Sequence, residues 1–355
     1  MENILINENM WIDFSSKKTL TDSYYNSCKK DFHWRNAIFS FLKKWYDNES
    51  VLSVSTSGTT GSPKIIFLKK KHMFERAIKT VEFLKLEKRG IRGLLCLSPD
   101  FIAAKMFLVR AIIFKWKIYC VPPSSNPLIN IKECFDIISM VPMQVFFSLK
   151  YLEYIKIILI GGCSISNFLE KKLQNISTIC YETYGMTETL GHIALRKING
   201  SNKLTFYKSF QDIHLSVDER NCLKIYSMDS FIQTNDIVHM ISSDTFYWIG
   251  RYDNVINSGG IKIIPELIEK NISSFIPFHK RFFISSIPDK IFGEKIVLII
   301  EGDPFPFKLP EVIFNGKNKF YKPKNIFFFP HFIENSLGKV RRKEIMKKLI
   351  QKIKT

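Results

Sequence analysis

Long apolar runs and paired cysteines are both missing from this sequence. No apolar stretch approaches the ~18–20 residues that cross a bilayer. The best candidate, residues 111–122, is interrupted by Lys115 and Lys117. The 7 cysteines form no CxxC pair, which argues against a zinc site and a disulfide framework. The first residues also show no signal-peptide pattern. We therefore expect a cytoplasmic protein with reduced thiols and no transmembrane segment.

Acidic residues are scarce relative to basic ones. The chain has 33 Asp and Glu against 52 Lys and Arg, a formal net charge of +19. Such an excess raises nucleic-acid binding as a function. The lysines are scattered along the chain, however, and no standard nucleic-acid motif is present. We therefore expect no nucleic-acid partner, and anionic small molecules would also gain from a positive field.

The sharpest basic run lies at the carboxyl end, over residues 338–355. Ile345, Leu349 and Ile353 recur there at every fourth position among the lysines. This spacing predicts an amphipathic helix with one apolar stripe. Docking of that stripe on the protein is the favoured interpretation, and binding to a membrane surface is the alternative.

Hydrophobic residues make up 46% of the 355 residues, enough for a substantial core, and the length suggests two domains. From residue 51 to about 180, short β-like runs alternate with helical patterns. Strands at 51–56 and 156–160 and a helix at 102–114 are examples. This alternation predicts an α/β layered domain.

A second pattern begins near residue 245. We predict short strands at 246–249 and 261–264 around a turn at Gly259-Gly260, then a helix over 266–275. The predicted organisation is a large domain over residues 1–252 and a smaller α+β domain over residues 253–355.

Residues 56–64 are the strongest local signal. They read Thr-Ser-Gly-Thr-Thr-Gly-Ser-Pro-Lys and directly follow a predicted strand. The two glycines permit a tight turn, and hydroxyls, N–H groups and a lysine can surround a polyphosphate. The loop is not a Walker A loop, because Lys64 does not follow a glycine.

This loop resembles the phosphate-binding loop of the AMP-forming adenylate synthetases, which include acyl-CoA ligases, peptide-synthetase adenylation domains and luciferases. Four further motifs of that family follow in the family's order. They are Tyr184-Gly185-Met186-Thr187-Glu188, Thr234-Asn235-Asp236, Gly250-Arg251-Tyr252-Asp253 with Gly259-Gly260, and Leu337-Gly338-Lys339. Asn235 stands where the family carries glycine. The resemblance covers residues 54–343 and implies a large layered α/β domain with a smaller, mobile α+β lid domain.

The resemblance also implies ATP and coenzyme A as substrates, Mg²⁺ as the metal, and a role for each motif. Lys339 would bridge the substrate carboxylate and the α-phosphate, Thr187 would contact that phosphate, and Glu188 would help to hold Mg²⁺. Asp253 would be the hinge, and Gly259-Gly260 would let the pantetheine arm of CoA pass. The residues implied in ATP binding are Thr56, Ser57, Gly58, Thr59, Thr60, Gly61, Lys64, Gly161, Gly162, Cys163, Tyr184, Gly185, Met186, Asp236 and Arg251.

Residues 98–111, the Pro-rich stretch 122–127 and the early position of the phosphate loop resemble the short bacterial 2-succinylbenzoate–CoA ligases of menaquinone synthesis. The implied substrate is an aromatic keto-dicarboxylate. One carboxylate would be activated and the other would need a cation, for which Arg110 and Lys105 are candidates. A basic helix face without a substrate role is the alternative for both residues.

Two other functions stay open. One is a CoA ligase for another aryl or acyl carboxylate, which would use the same fold and catalytic residues. The other is a non-catalytic binding protein on a decayed synthetase fold, against which the intact motifs argue. The sequence leaves the oligomeric state open, a homo-oligomer included.

Overall fold

The computed structural model describes residues 10–15, 33–55, 64–86, 90–277, 280–334 and 339–354. The strands are β1 (Met10–Asp13), β2 (Val51–Ser55), β3 (Ile65–Lys69), β4 (Arg92–Leu95), β5 (Lys117–Cys120), β6 (Phe135–Met140), β7 (Ile155–Ile160), β8 (Ile179–Met186), β9 (Gly191–Lys197), β10 (Tyr207–Ser209), β11 (Ile213–Val217), β12 (Cys222–Ser227), β13 (Ser230–Met240), β14 (Thr245–Arg251), β15 (Ile256–Ser258), β16 (Ile261–Ile263), β17 (Phe282–Asp289), β18 (Gly293–Glu301) and β19 (Asn325–Phe329). The helices are α1 (His33–Tyr46), α2 (Lys70–Phe83), α3 (Ile102–Phe114), α4 (Pro142–Phe147), α5 (Asn167–Leu173), α6 (Pro265–Ile272) and α7 (Arg342–Lys354).

A 12-stranded sheet with the order β1-β5-β4-β6-β7-β8-β9-β10-β14-β13-β12-β11 forms the centre of the molecule. Strands β5, β4, β6, β7 and β8 are parallel neighbours. Parallel strands need crossover connections, which α3, α4 and α5 supply. The predicted α/β layered class is therefore confirmed.

From β8 onward the same sheet is antiparallel as far as β11. The alternation of strands and helices stops near residue 180 because antiparallel strands need only short turns. The sequence reasoning did not predict this half of the sheet.

Helix α3 is enclosed by the protein on nearly every side. Of its 13 residues, seven are buried, including Phe107, Leu108 and Val109. A helix that is apolar all round belongs in a core. It carries Arg110 into that core, where the side chain is only 2% exposed.

The strands β15 to β19, which follow those of the large sheet along the chain, form a separate five-stranded sheet. The two-residue turn Gly259-Gly260 joins β15 and β16, with Ser258 opposite Ile261. Both glycines have positive φ, +59° and +82°, the conformation that such a hairpin requires. The strand predicted at 246–249 is present as part of β14, but it pairs with β13 in the large sheet and not at this turn. Helix α6 also ends at Ile272 rather than at the predicted residue 275.

Helix α7 docks its apolar stripe on the five-stranded sheet. Ile345, Met346 and Leu349 are buried in a cluster with Phe283 and Phe332. The lysines of the helix for which exposure is described face solvent. The prediction of a docked terminal helix is confirmed. The helices of the described ranges include none that is long and apolar enough to cross a membrane.

Candidate active site

Two of the predicted motif segments lie side by side at the carboxyl edge of the parallel strands. Gly161-Gly162-Cys163 follows β7, and Tyr184 to Met186 end β8, with Ile160 paired to Glu182. A Cβ atom on Gly161 would lie 2.3 Å from Thr183 Oγ1, so only glycine fits there. Ligands bind open α/β sheets at this edge.

A buried carboxylate fixes the loop that starts at Gly161. Glu182 accepts a hydrogen bond from the Ile165 backbone N–H at 2.9 Å and one from Arg196 Nε at 2.8 Å. Arg196 also reaches both oxygens of Glu170, at 3.1 and 2.7 Å. This bidentate network holds the loop to β8 and to α5.

The Thr187-Glu188 pair occupies the turn between β8 and β9. Glu188 is exposed and Thr187 is half-buried, so both can meet a ligand. Thr189 is buried, and its hydroxyl accepts from the Met186 N–H at 2.8 Å and donates to the Gly191 carbonyl at 2.7 Å. These contacts fix the turn and leave Thr187 and Glu188 facing outward.

In the described part of the chain, three side chains donate hydrogen bonds to Asp236. Its Oδ2 atom accepts from the Tyr184 hydroxyl at 2.8 Å. Its Oδ1 atom accepts from Trp248 Nε1 at 3.3 Å and from Arg251 Nη1 at 3.5 Å. Burial, and then the charge of Asp236, raise the pKa of Tyr184 well above 10, so the phenol keeps the proton that it donates. The structure thus brings together three residues predicted from separate motifs: Tyr184, Asp236 and Arg251.

The predicted hinge residue Asp253 is bound to the same group. Its carboxylate accepts from Arg251 Nη2 at 2.5 Å and from Asn235 Nδ2 at 2.9 Å. The asparagine that replaces the family's glycine therefore has a specific partner. Arg251 links the carboxylate of Asp236 to that of Asp253.

The positive charge of Lys339 acts on Cys163, although the two residues are far apart in sequence. Desolvation raises the pKa of the Cys163 thiol, and the positive charge of Lys339 opposes that rise. Asn167, shortly after that segment, donates to the Lys270 carbonyl at 3.1 Å and to Ser273 Oγ at 3.0 Å. These contacts join the large sheet to the residues around α6.

The described residues contain no cluster of three or more His, Cys, Asp or Glu that could hold a metal by itself. Mg²⁺ rarely needs one, because it usually takes one or two carboxylates and completes its shell with phosphate oxygens and water. The exposed carboxylate of Glu188 fits that role beside a polyphosphate.

Arg110 is a buried cation without a carboxylate partner in the described ranges. Its side chain is 2% exposed, and its Nε atom has no hydrogen-bond partner there. The Phe107 ring lies below the guanidinium, with 5.9 Å between the ring centroid and the guanidinium carbon. Burial lowers the pKa of Arg110 to about 9, so the group remains charged at neutral pH.

A second buried arginine, Arg76 on α2, provides a contrast. It is 1% exposed, but it pairs with Asp212 at 3.1 Å and donates to Ser227 Oγ at 2.6 Å. His192 Nε2 lies 3.0 Å from the Thr80 hydroxyl. Burial, and then the charges of Arg110 and Arg76, lower the pKa of His192 well below 6.5. The imidazole is therefore neutral at pH 7.

Lys105, the other candidate for the substrate cation, donates to the backbone carbonyl of Pro99. This contact ties the lysine to the loop before α3. Burial lowers the pKa of Lys105 to about 8, while the charge of Asp100 opposes the shift.

We predict a pH effect from Lys105. Between pH 8 and 10.5 the unfolded chain holds a proton that the folded chain has released, so this residue makes stability rise with pH. Below pH 8 the desolvation penalty is constant. Lys105→Met should therefore raise the free energy of unfolding at pH 7 by about 1–2 kcal/mol and flatten the rise above pH 8. Urea denaturation at several pH values measures both. A variant with an unchanged profile would contradict the assignment.

The phosphate-loop residues Thr56, Ser57, Gly58, Thr59, Thr60 and Gly61 lie outside the described residues, as do Leu337 and Gly338. Lys64 is described and is exposed immediately before β3. The strands that flank the loop pair with each other, with Ser55 opposite Ile65. The roles assigned to the phosphate-loop residues therefore stay predictions.

Sequence reasoning missed three residues of this site. Trp248 precedes a recognised motif but carries no pattern of its own. Glu182 and Arg196 lie on neighbouring strands, and only their pairing in the sheet brings them together.

No protein-family model matches the chain. A curated 2-succinylbenzoate–CoA ligase from Lactococcus lactis is 25% identical over 210 residues, covering 54% of this chain and 46% of the relative. The match thus spans just under half of that relative's length. The crystal structure of an acyl-CoA synthetase (AMP-forming)/AMP-acid ligase II-like protein from Dyadobacter fermentans is 30% identical, with a TM-score of 0.63, and the match covers 96% of this chain and 99% of that one.

The O-succinylbenzoate coenzyme A synthetase of Bacillus subtilis, solved in complex with ATP and magnesium ion, is 20% identical with a TM-score of 0.69. That match covers 83% of this chain and 69% of the other. The chain therefore belongs to the AMP-forming acyl-CoA synthetases, a family of ligases. Its fold is the α/β architecture of that family, with a large amino-terminal and a smaller carboxy-terminal domain.

Proposed function

We propose that the protein is an ATP-dependent CoA ligase for an aromatic dicarboxylate, with 2-succinylbenzoate as the substrate, in menaquinone synthesis. The observation that carries this proposal is the meeting of Tyr184, Asp236 and Arg251, from three separate motifs, at the carboxyl end of β8. The charge of Lys339, from a fourth motif, acts on Cys163 directly after the neighbouring strand β7. A surface ion pair or a basic tail would not require this convergence.

The chemistry of the first step explains the residue types. A carboxylate is a poor acyl donor, so its oxygen attacks the α-phosphate of ATP, the bond to the β-phosphate breaks, and pyrophosphate leaves. Negative charge grows on the phosphate oxygens meanwhile. Lys339 and Thr187 would stabilise that charge, with each well-placed donor worth about 3–4 kcal/mol. Mg²⁺, held by Glu188, would neutralise phosphate charge.

The second step forms the thioester. The CoA thiol loses its proton to solvent, its sulfur forms a bond to the acyl carbon, the anhydride bond between that carbon and the phosphate oxygen breaks, and AMP leaves. This step needs a different opening, which rotation of the carboxy-terminal domain about Asp253 would supply. Gly259 and Gly260 would pass the pantetheine arm. Asn235 and Arg251 hold Asp253 in the described conformation, so rotation would change those two contacts.

Arg110 supports the choice of a dicarboxylate. A buried guanidinium without a counter-ion is costly, and cores rarely contain one without a function. A second carboxylate on the substrate would supply a counter-ion, which Arg110 lacks among the described residues. His192 is neutral and cannot compete for that anion as a cation.

The direct test is pyrophosphate release from ATP over a panel of carboxylates. We expect turnover with 2-succinylbenzoate to exceed that with benzoate by about 100-fold, the size of one buried charge pair. Pyrophosphate release with other acids but not with 2-succinylbenzoate would contradict the proposed substrate and support the proposed ligase activity. Nucleotide binding with no release over the whole panel would favour the non-catalytic alternative.

A further inference from the structure

Among the described residues that donate to Asp236, Trp248 is the one that no sequence motif indicated. Its indole N–H points at Oδ1, with 3.3 Å between nitrogen and oxygen. The side chain is half-buried, and its strand β14 pairs with β13, which carries the aspartate. The contact therefore joins two neighbouring strands across one face of the sheet.

A β-bulge creates this contact. Ile237 pairs with Gly250, whereas the next residue, Val238, pairs with Trp248, so Ile249 is an extra residue on β14. In a regular strand, residues three apart point to opposite faces. The inserted residue puts Trp248 and Arg251 on the same face as Asp236. Bulges that redirect a side chain are common beside active sites.

The other two donors differ in how firmly they hold Asp236. Tyr184 binds Oδ2 at 2.8 Å, but Arg251 is 3.5 Å from Oδ1 and only 2.5 Å from Asp253. Arg251 therefore binds mainly to Asp253, the predicted hinge residue. Trp248 and Tyr184 remain as the donors that fix the orientation of the carboxylate, one on each oxygen.

We propose that Trp248 is a positioning residue for the nucleotide: it orients Asp236 so that the carboxylate accepts a hydrogen bond from a ribose hydroxyl. The proposal rests on the proposed function and on the role that the family resemblance implies for Asp236, which is to accept hydrogen bonds from the ribose hydroxyls of ATP. It adds that discrimination between ribose and deoxyribose depends on an indole N–H that never touches the ligand. The rigid ring makes this possible, since an indole has one donor and few rotamers.

The test is calorimetric binding of AMP, 2′-deoxy-AMP and 3′-deoxy-AMP to the full-length protein and to Trp248→Phe. The variant keeps an aromatic ring and loses the donor. We expect it to bind AMP about three- to tenfold more weakly, the effect of one net hydrogen bond. For the analogue that lacks the hydroxyl bound by Asp236, the two proteins should bind equally. In turnover, KM for ATP should rise while kcat changes little.

Trp116→Phe is the matched control. Trp116 is fully buried, and its Nε1 atom has no partner in the described part of the chain. Its replacement should leave nucleotide binding unchanged. Tyr184→Phe, which removes the donor on the other oxygen, should repeat the ribose-dependent pattern should Trp248→Phe fold poorly.

Equal losses by Trp248→Phe on all three nucleotides would overturn the proposal, because they would mean a general structural effect. Unchanged AMP affinity would overturn it as well. A wild-type protein that binds none of the nucleotides would remove the proposed function and this inference with it. If the wild type binds AMP but Trp248→Phe shows no greater loss for AMP than for the deoxy analogues, the inference about Trp248 is wrong and the proposed function still stands.

Discussion

Lys339→Ala should abolish formation of the acyl-adenylate while largely sparing thioester formation from supplied acyl-adenylate. The positive charge of the lysine acts on Cys163, which follows β7 at the edge where the α-phosphate would react. Removing one preorganised donor from such a site costs about 100- to 1,000-fold in rate. In the second step the carboxy-terminal domain would have turned away, so the lysine would no longer contribute. Pyrophosphate release measures the first half, and CoA consumption with supplied acyl-adenylate measures the second.

Lys343→Ala provides the matched control, because Lys343 is exposed one helical turn further along the same basic tail. It should leave both half-reactions unchanged. Equal loss of both half-reactions in Lys339→Ala would contradict the two-conformation mechanism. An unchanged first step would remove Lys339 from the catalytic residues.

Helix α3 shows what the sequence could predict well. Its bounds, 102–114, agree with the structure because the segment is mostly apolar, with Lys105 and Arg110 as its two charged residues, and is recognised without knowledge of its partners. Lys115, with φ of +54°, ends it in a left-handed conformation. The family resemblance also leads to the expectation that Tyr184, Asp236 and Arg251 serve one site, and these three residues contact one another in the structure. Resemblance carries information about pairing that a local pattern lacks.

Trp248 and the Gly259-Gly260 hairpin show where local patterns fail. The local pattern predicts the turn at Gly259-Gly260 and the strand at 246–249, but it does not predict the three-residue strand β15, which pairs with β16 at that turn. Pairing is decided by contacts across the sheet, which short runs do not encode. The bulge at Ile249 is likewise a property of two strands together. No periodicity within β14 could indicate that Trp248 faces Asp236.

Arg110→Met is expected to separate substrate binding from stability. With 2-succinylbenzoate, kcat/KM should fall by about 100-fold or more, because a desolvated charge pair loses one partner, a change typically worth about 3–5 kcal/mol. Benzoate, which lacks the second carboxylate, should lose less than about threefold, the range of surface-like effects. A ratio between the two acids that stays constant would exclude Arg110 from the acyl pocket.

The same variant should be more stable than the wild type without substrate. Arg110 is a buried cation with no ion pair in the described residues, so a methionine of similar length removes a desolvation penalty and should add about 1–4 kcal/mol. Arg76→Met is the matched control. Arg76 is equally buried, but its loss leaves Asp212 and Ser227 without that partner, so this variant should be destabilised by about 2–3 kcal/mol.

Urea denaturation of the wild type and the two variants measures the free energies of unfolding. A gain in the free energy of unfolding for Arg110→Met, together with a loss for Arg76→Met, would support a ligand-binding role for Arg110. Equal losses for the two variants would show that both arginines stabilise the fold.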